Sequence, residues 1–112
     1  MAEPRLNTAL VLETPIRQGD GLGGHRVEWQ PLGRIWAEMQ SGVGAERSGQ
    51  AGPQSVVTWR IITRAAMHGD PRRPRPEQRL RLGARLFRID AVAERDADGR
   101  YLICFAREEN VA

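Results

Sequence analysis

Residues 17–26 read "RQGDGLGGHR", and whether these glycines open a helix or close a hairpin separates an α/β chain from an all-β one. Through Gly19, Gly21 and Gly24 the stretch satisfies the G-x-G-x-x-G spacing of a dinucleotide-binding turn. That turn needs a strand entering and a helix leaving, so that a pyrophosphate can sit on the free amides of the helix N-terminus. Here the glycines lead into His25-Arg26-Val27-Glu28-Trp29-Gln30-Pro31, with β-formers at i and i+2, a proline, and no apolar period of 3.6. On their N-terminal side lies "TALVLET", residues 8–14, which predicts a strand ending at Pro15. An extended segment on each side makes the stretch a hairpin tip. Its glycines supply positive φ, and Asp20 closes an Asx-type turn.

The alternation continues outward from the tip. In "HRVEWQPLGRIWAEMQ", Val27 and Trp29 share one face and Ile35 and Ala37 share another, so Pro31 and Gly33 mark a bend or bulge. Residues 41–54, "SGVGAERSGQAGPQ", carry four glycines and hardly any large apolar side chain, which predicts a long loop of the functional or mobile kind. The clearest strand is "SVVTWRIITRAA", where Val57, Trp59 and Ile61 oppose Thr58, Arg60, Ile62 and Arg64. "HGDPRRPRPEQ", residues 68–78, holds three prolines and three arginines and predicts a stiff, exposed connection of polyproline type. A C-terminal hairpin closes the chain: one strand through Leu86, Phe87, Ile89 and Val92, the turn "DADG" with Gly99 in the left-handed region, and a second strand over Tyr101–Ala106. The expected fold is all-β, a small antiparallel β-barrel or sandwich of five to six strands with long loops. Its expected core is Trp59, Ile61, Leu86, Phe87, Ile89, Leu102 and Ile103.

Composition narrows the function. The 112 residues fit one domain, and 40% hydrophobic with 28% charged residues is a globular balance. No apolar run reaches the roughly 18 residues of a membrane span, and Pro4-Arg5 interrupts any secretory leader, so a soluble intracellular chain with no membrane partner is expected. Every one of the 17 basic residues is arginine, a pattern read as GC-rich coding, with arginine's bidentate phosphate and carboxylate contacts as the alternative, and a net charge of +3 is weak evidence for nucleic acid. The lone Cys104 lies in the apolar run "YLICFA" and is read as a buried structural thiol.

Catalytic chemistry finds no footing. His25 and His68 stand apart in turns, without further donors at metal-ligand spacing. Asp96 and Asp98 lack the distal glutamate of a calcium loop. With Glu108 and Glu109 read as an exposed pair and no nucleophile elbow, zincin or P-loop motif present, no enzyme, cofactor or metal is expected.

Taken in order, "ALVLE", "GDGLGGHRVEW", "RIWAEM", "TWRIITR", "LRLGARLFRIDAV" and "YLICFAREE" resemble the small head-tail joining proteins of tailed bacteriophages, also called head-closure or stopper proteins. The matching positions are Asp20 with Gly23 and Gly24, Trp29, Trp36-Ala37-Glu38, Thr58–Arg64, Gly83, Arg85, Leu86, Phe87 and Ile89, and Cys104–Glu108. The glycine-rich stretch 41–54 and the basic connection "DPRRPRP" depart from that pattern. A gene transfer agent, a domesticated phage-like particle, would use the same kind of protein.

The resemblance implies a structural subunit of the connector in a virion or phage-like particle, assembled in the host bacterial cytoplasm. It implies a homo-oligomeric ring, a hexamer in preference to a dodecamer, between an adaptor or portal-side protein above and a tail-side protein below. The ring would help retain packaged double-stranded DNA. Ser41, Gly42, Val43, Glu46, Arg47, Gln50 and Gln54 are the candidate assembly contacts. Arg72, Arg73, Arg75 and Arg79 are candidates either for non-specific contact with DNA in the channel or for salt bridges to adjacent rings. The rival reading is a monomeric nucleic-acid-binding β-barrel in which Trp29, Trp36, Trp59 and Tyr101 stack bases.

Overall fold

A computed structural model describes residues 3–49 and 52–109; the side chains of residues 43–56 lie outside that description. Six strands follow one another: β1 (Thr8–Gly19), β2 (His25–Gly49), β3 (Gly52–Arg64), β4 (Arg79–Leu82), β5 (Arg85–Glu94) and β6 (Tyr101–Glu109). All neighbours are antiparallel, and the sheet closes on itself in the order β1-β2-β3-β6-β5-β4. The all-β expectation therefore holds, in its barrel-like form.

Inward-facing residues alternate along each strand and meet in one cluster of Leu10, Leu12, Ala37, Ile61, Leu80, Phe87, Ile89, Cys104 and Ala106. Trp59 packs against it, its ring edge-on to Phe87 with centroids 5.5 Å apart at 78°. Of the expected core, Ile61, Phe87, Ile89 and Leu102 are buried. Trp59, Leu86 and Ile103 are only half-buried. Leu86 and Ile103 alternate with the buried Phe87, Leu102 and Cys104 and so take the outer face.

The strand limits differ from expectation in two places. β1 does not stop at Pro15: it runs through to Gly19, with Pro15 opposite Trp29. β4 pairs only with Val11–Glu13, so past Glu13 one edge of β1 has no neighbour and the missing amide of proline costs no ladder bond. The stretch 41–54 is not an irregular loop. β2 continues to Gly49, β3 starts at Gly52, and the two pair from Gly44↔Val57 to Gly49↔Gly52. A register shift between Ser41 and Gly44 absorbs the local irregularity. The bend expected at Pro31 and Gly33 is a bulge: Glu13 faces Pro31 and Leu12 faces Gly33, leaving Leu32 as the extra residue.

The 68–78 connection also departs from a stiff extended rod. It folds through successive turns, with Asp70 N donating to Met67 O and Arg73 N donating to Asp70 O, and it buries Pro74 and Gln78. Gln78 ties the segment down. Its Oε1 accepts from Arg75 N at 2.8 Å and its Nε2 donates to Thr14 Oγ1 at 3.3 Å. The "DADG" turn forms as expected, with Gly99 at φ 68° and Asp96 Oδ1 accepting from the amides of Arg100 and Tyr101.

Cys104 is fully buried on β6, and loss of solvent pushes its thiol up to about 12, with Arg73 acting weakly the other way. The folded protein is expected to resist a thiol-specific reagent at pH 8 and to react fully once denatured. Rapid labelling under native conditions, followed by absorbance, would show that β6 opens readily.

Candidate assembly surfaces

β2 is shared by two hairpins. It pairs with β1 from His25 to Ala37 and with β3 from Ala37 to Gly49, so Ala37, fully buried, is the one residue of β2 with a strand partner on both sides. Twenty-five extended residues would span about 80 Å, yet the longest dimension of the protein is 50 Å. The strand must therefore bend, and its two register shifts are where it does. Each end of β2 forms an arm with its hairpin partner: the first over residues 14–30, the second over residues 41–59.

The first arm ends in the glycine tip. Asp20 Oδ1 accepts from Leu22 N at 2.7 Å and from Gly24 N at 3.0 Å, and Asp20 N donates to Gly24 O at 3.1 Å. Those two amides hold the Asp20 carboxyl below its ordinary range. They are also amides that a phosphate would need, so the tip has no vacant anion cradle among them. Gly21 and Gly23 stand at φ 80° and 85°, and the locked turn leaves Leu22 90% exposed. Val27, farther down the arm, is half exposed.

In the second arm, a Cβ on Gly42 would come 2.5 Å from the Thr58 carbonyl oxygen, so only glycine allows β2 and β3 to approach this closely at the bulge. Ser41 is exposed and opposite Trp59. Val43, Glu46, Arg47 and Gln54 lie on strand backbone, with Glu46 facing Ser55 and Arg47 facing Gln54. Gln50 falls outside the described residues.

The four arginines of the connection have different surroundings. Arg79 is the most committed: its Nε donates to Glu13 Oε1 at 2.6 Å, and its guanidinium lies 4.1 Å from the centre of the Trp29 ring. Arg81 donates to the other oxygen of Glu13 at 3.1 Å. Burial alone would raise the Glu13 carboxyl, but hydrogen bonds and charge from Arg79 and Arg81 outweigh it and hold the group below its ordinary value. Arg73 Nη1 donates to Ala66 O at 2.8 Å. Arg72 grips Asp70 through both Nε and Nη2, and together with its backbone amide it brings that carboxyl to about 2. Arg75 is exposed and has no ion-pair partner among the described residues.

Sequence reasoning missed the Glu13 pair altogether. The signal was present in "RLRL", where Arg79 and Arg81 alternate with inward Leu80 and Leu82 and so land on one outer face beside β1. The terminal glutamates are likewise engaged, Glu108 by Arg85 at 2.8 Å and Glu109 by Arg88 at 3.5 Å. Arg107 pairs with Asp90. His25 and His68 lie apart, and no group of three potential metal ligands occurs among the described residues.

The aromatic residues do not form a stacking platform. Trp59 faces the core, Trp29 lies beside Arg79 and Arg88, and Tyr101 is half-buried near Arg100. Only Trp36 among the tryptophans is largely exposed, at 54%. A sequence-tolerant single-strand binder requires several exposed rings on one face.

Comparison with known proteins supplies the context for these surfaces. Residues 1–109 match the family model described as phage head completion protein. Among solved structures, the chain is similar to one from the "Virion of native gene transfer agent (GTA) particle", with 58% sequence identity and a TM-score of 0.84. The likeness covers 98% of this chain and 100% of that one. No curated protein matches.

Proposed function

The chain belongs to the phage head completion protein family, and from that premise we propose that it is a structural virion component whose copies form a ring joining the DNA-filled head to the tail. Six copies are the preferred number, with twelve as the alternative. The ring lies between a portal-side and a tail-side protein and helps to retain packaged DNA.

One observation carries this reading: the body of the sheet is closed, and unpaired strand edge is concentrated on two arms at opposite ends of β2. A closed barrel cannot extend a sheet into a neighbour through its body. Head-to-tail contacts that close by rotation need two dissimilar surfaces on each copy, and two unlike arms are suitable for that. Ser41, Gly42, Val43, Glu46, Arg47, Gln50 and Gln54 are proposed as second-arm contacts. For the arginines the reading narrows. Arg79 is committed to Glu13 and Arg73 to a backbone carbonyl, which leaves Arg75, with Arg72 beside its aspartate, as the stronger candidates for DNA or for an adjacent ring.

Replacing residues 44–57 with an Asn-Gly turn removes most of the second arm without touching the core cluster. The shortened chain is expected to fold and melt as the parent does. It should remain monomeric by mass photometry and fail to join heads to tails. Rings of normal mass from the shortened chain would defeat this reading.

A further inference from the structure

The edge of β2 that faces β3 is unoccupied along its first half. Residues 25–36 pair with β1 on one side, and on the other side they have no strand partner and no backbone bond from a loop among the described residues. At the end of this edge lies a groove of about 680 Å³. Leu6, Ile35, Trp36, Ala65 and Ala66 give it an apolar lining. Trp36 is the exposed tryptophan, and it is continuous with this apolar lining, a patch with a charged rim of the kind that marks an interaction site.

The rim of the groove is cationic. Arg34, Arg64 and Arg72 line it; Arg72 is held by Asp70, while Arg34 and Arg64 have no ion-pair partner among the described residues. Thr63, in the same lining, is buried with a hydroxyl that has no hydrogen-bond partner among the described residues.

We propose that this groove receives an extended acidic and aliphatic segment of a different protein of the particle, which adds as a strand to the free edge of β2. Main-chain hydrogen bonds to the edge provide the attachment, aliphatic side chains cover Trp36, and carboxylates meet Arg34 and Arg64. Charge separates this occupant from a second copy. The chain carries a net charge of +3, and its first arm offers Arg17 and Arg26 against Asp20 and Glu28, which gives no acidic complement to an arginine rim. DNA would satisfy the arginines but would leave the indole and the strand edge unused. The inference rests on the assembly reading only in placing the segment within the particle.

The test uses the isolated full chain and a fluorescein-labelled ten-residue peptide of alternating glutamate and valine, followed by anisotropy. Saturable binding is expected. It should weaken by about tenfold or more when lysine replaces glutamate, and also when alternate amides of the peptide are N-methylated, which removes the strand bonds. The Arg34→Glu/Arg64→Glu variant should reverse the preference and favour the lysine peptide, a gain that a misfolded chain would not show. Equal binding of all peptides, or a short DNA duplex that binds more tightly than the acidic peptide through the same two arginines, overturns the proposal. Ring mass is measured alongside: a parent chain that binds the peptide yet forms no rings supports the groove and counts only against the ring.

Discussion

Replacing Phe87 with alanine is expected to lower the stability of the isolated chain by about 3–5 kcal/mol. Phe87 is fully buried between β4 and β6, and Trp59 abuts it edge-on, so truncation leaves a cavity lined by residues on strands that are already hydrogen-bonded on both sides. Such walls collapse little, which favours the upper part of the range. A domain of this size has a total stability on the order of 5–15 kcal/mol, so the variant should be close to unfolding at 37 °C. Urea denaturation followed by tryptophan fluorescence measures the effect. An unchanged midpoint would mean that the barrel is not packed around Phe87.

The second large effect is expected at Glu13. Its carboxylate is 6% exposed and serves two arginines, with Arg79 16% and Arg81 40% exposed. Replacing Glu13 with glutamine leaves Arg79 partly buried without its counter-charge beside Trp29. Breaking a fully buried pair costs about 3–5 kcal/mol, and the access of Arg81 to water reduces this to roughly 2–3 kcal/mol. The same pair gives the fold a dependence on acid. The folded carboxyl titrates below its ordinary value of 4.5, so its contribution is fully present above that value and is lost as pH falls through the depressed folded value. The gap between the parent and Glu13→Gln in urea midpoint should therefore be wide at pH 7 and narrow at pH 3. An equal gap at both values would assign the loss to packing instead of charge.

What could be read from the chain depended on whether the deciding partner was near in sequence. The glycine tip and the "DADG" turn were legible because the hydrogen bonds that satisfy them come from within a few residues, and the alternation around Trp59 and Ile61 was legible as a local pattern even though its ladder partners lie on β2 and β6. Pro15 was misleading for a distant reason. It is tolerated within β1 because β4, more than sixty residues later, stops short of it. The glycines of 41–54 suggested an irregular loop, but two antiparallel segments need only each other to form a ladder, and their own composition does not forbid it. The faces of Leu86 and Ile103 were ambiguous because both lie in nearly continuous apolar runs, where alternation cannot say which side is inward. At the candidate surfaces, the type of residue was visible but not its engagement: "RLRL" sets Arg79 and Arg81 on one face, but it does not identify Glu13, 66 residues from Arg79, as their partner.

The single point of overlap at Ala37 makes the two arms independent modules. A pair of residues inserted opposite another pair near the tip of either arm would lengthen it and leave the alternation of the other arm, and of the barrel, unchanged; an odd insertion in one strand would turn every side chain beyond it to the opposite face. Loop-closure entropy grows only slowly with length, so such growth is thermodynamically mild. Lineages can thus refit one end to a new neighbour while keeping the fit at the other.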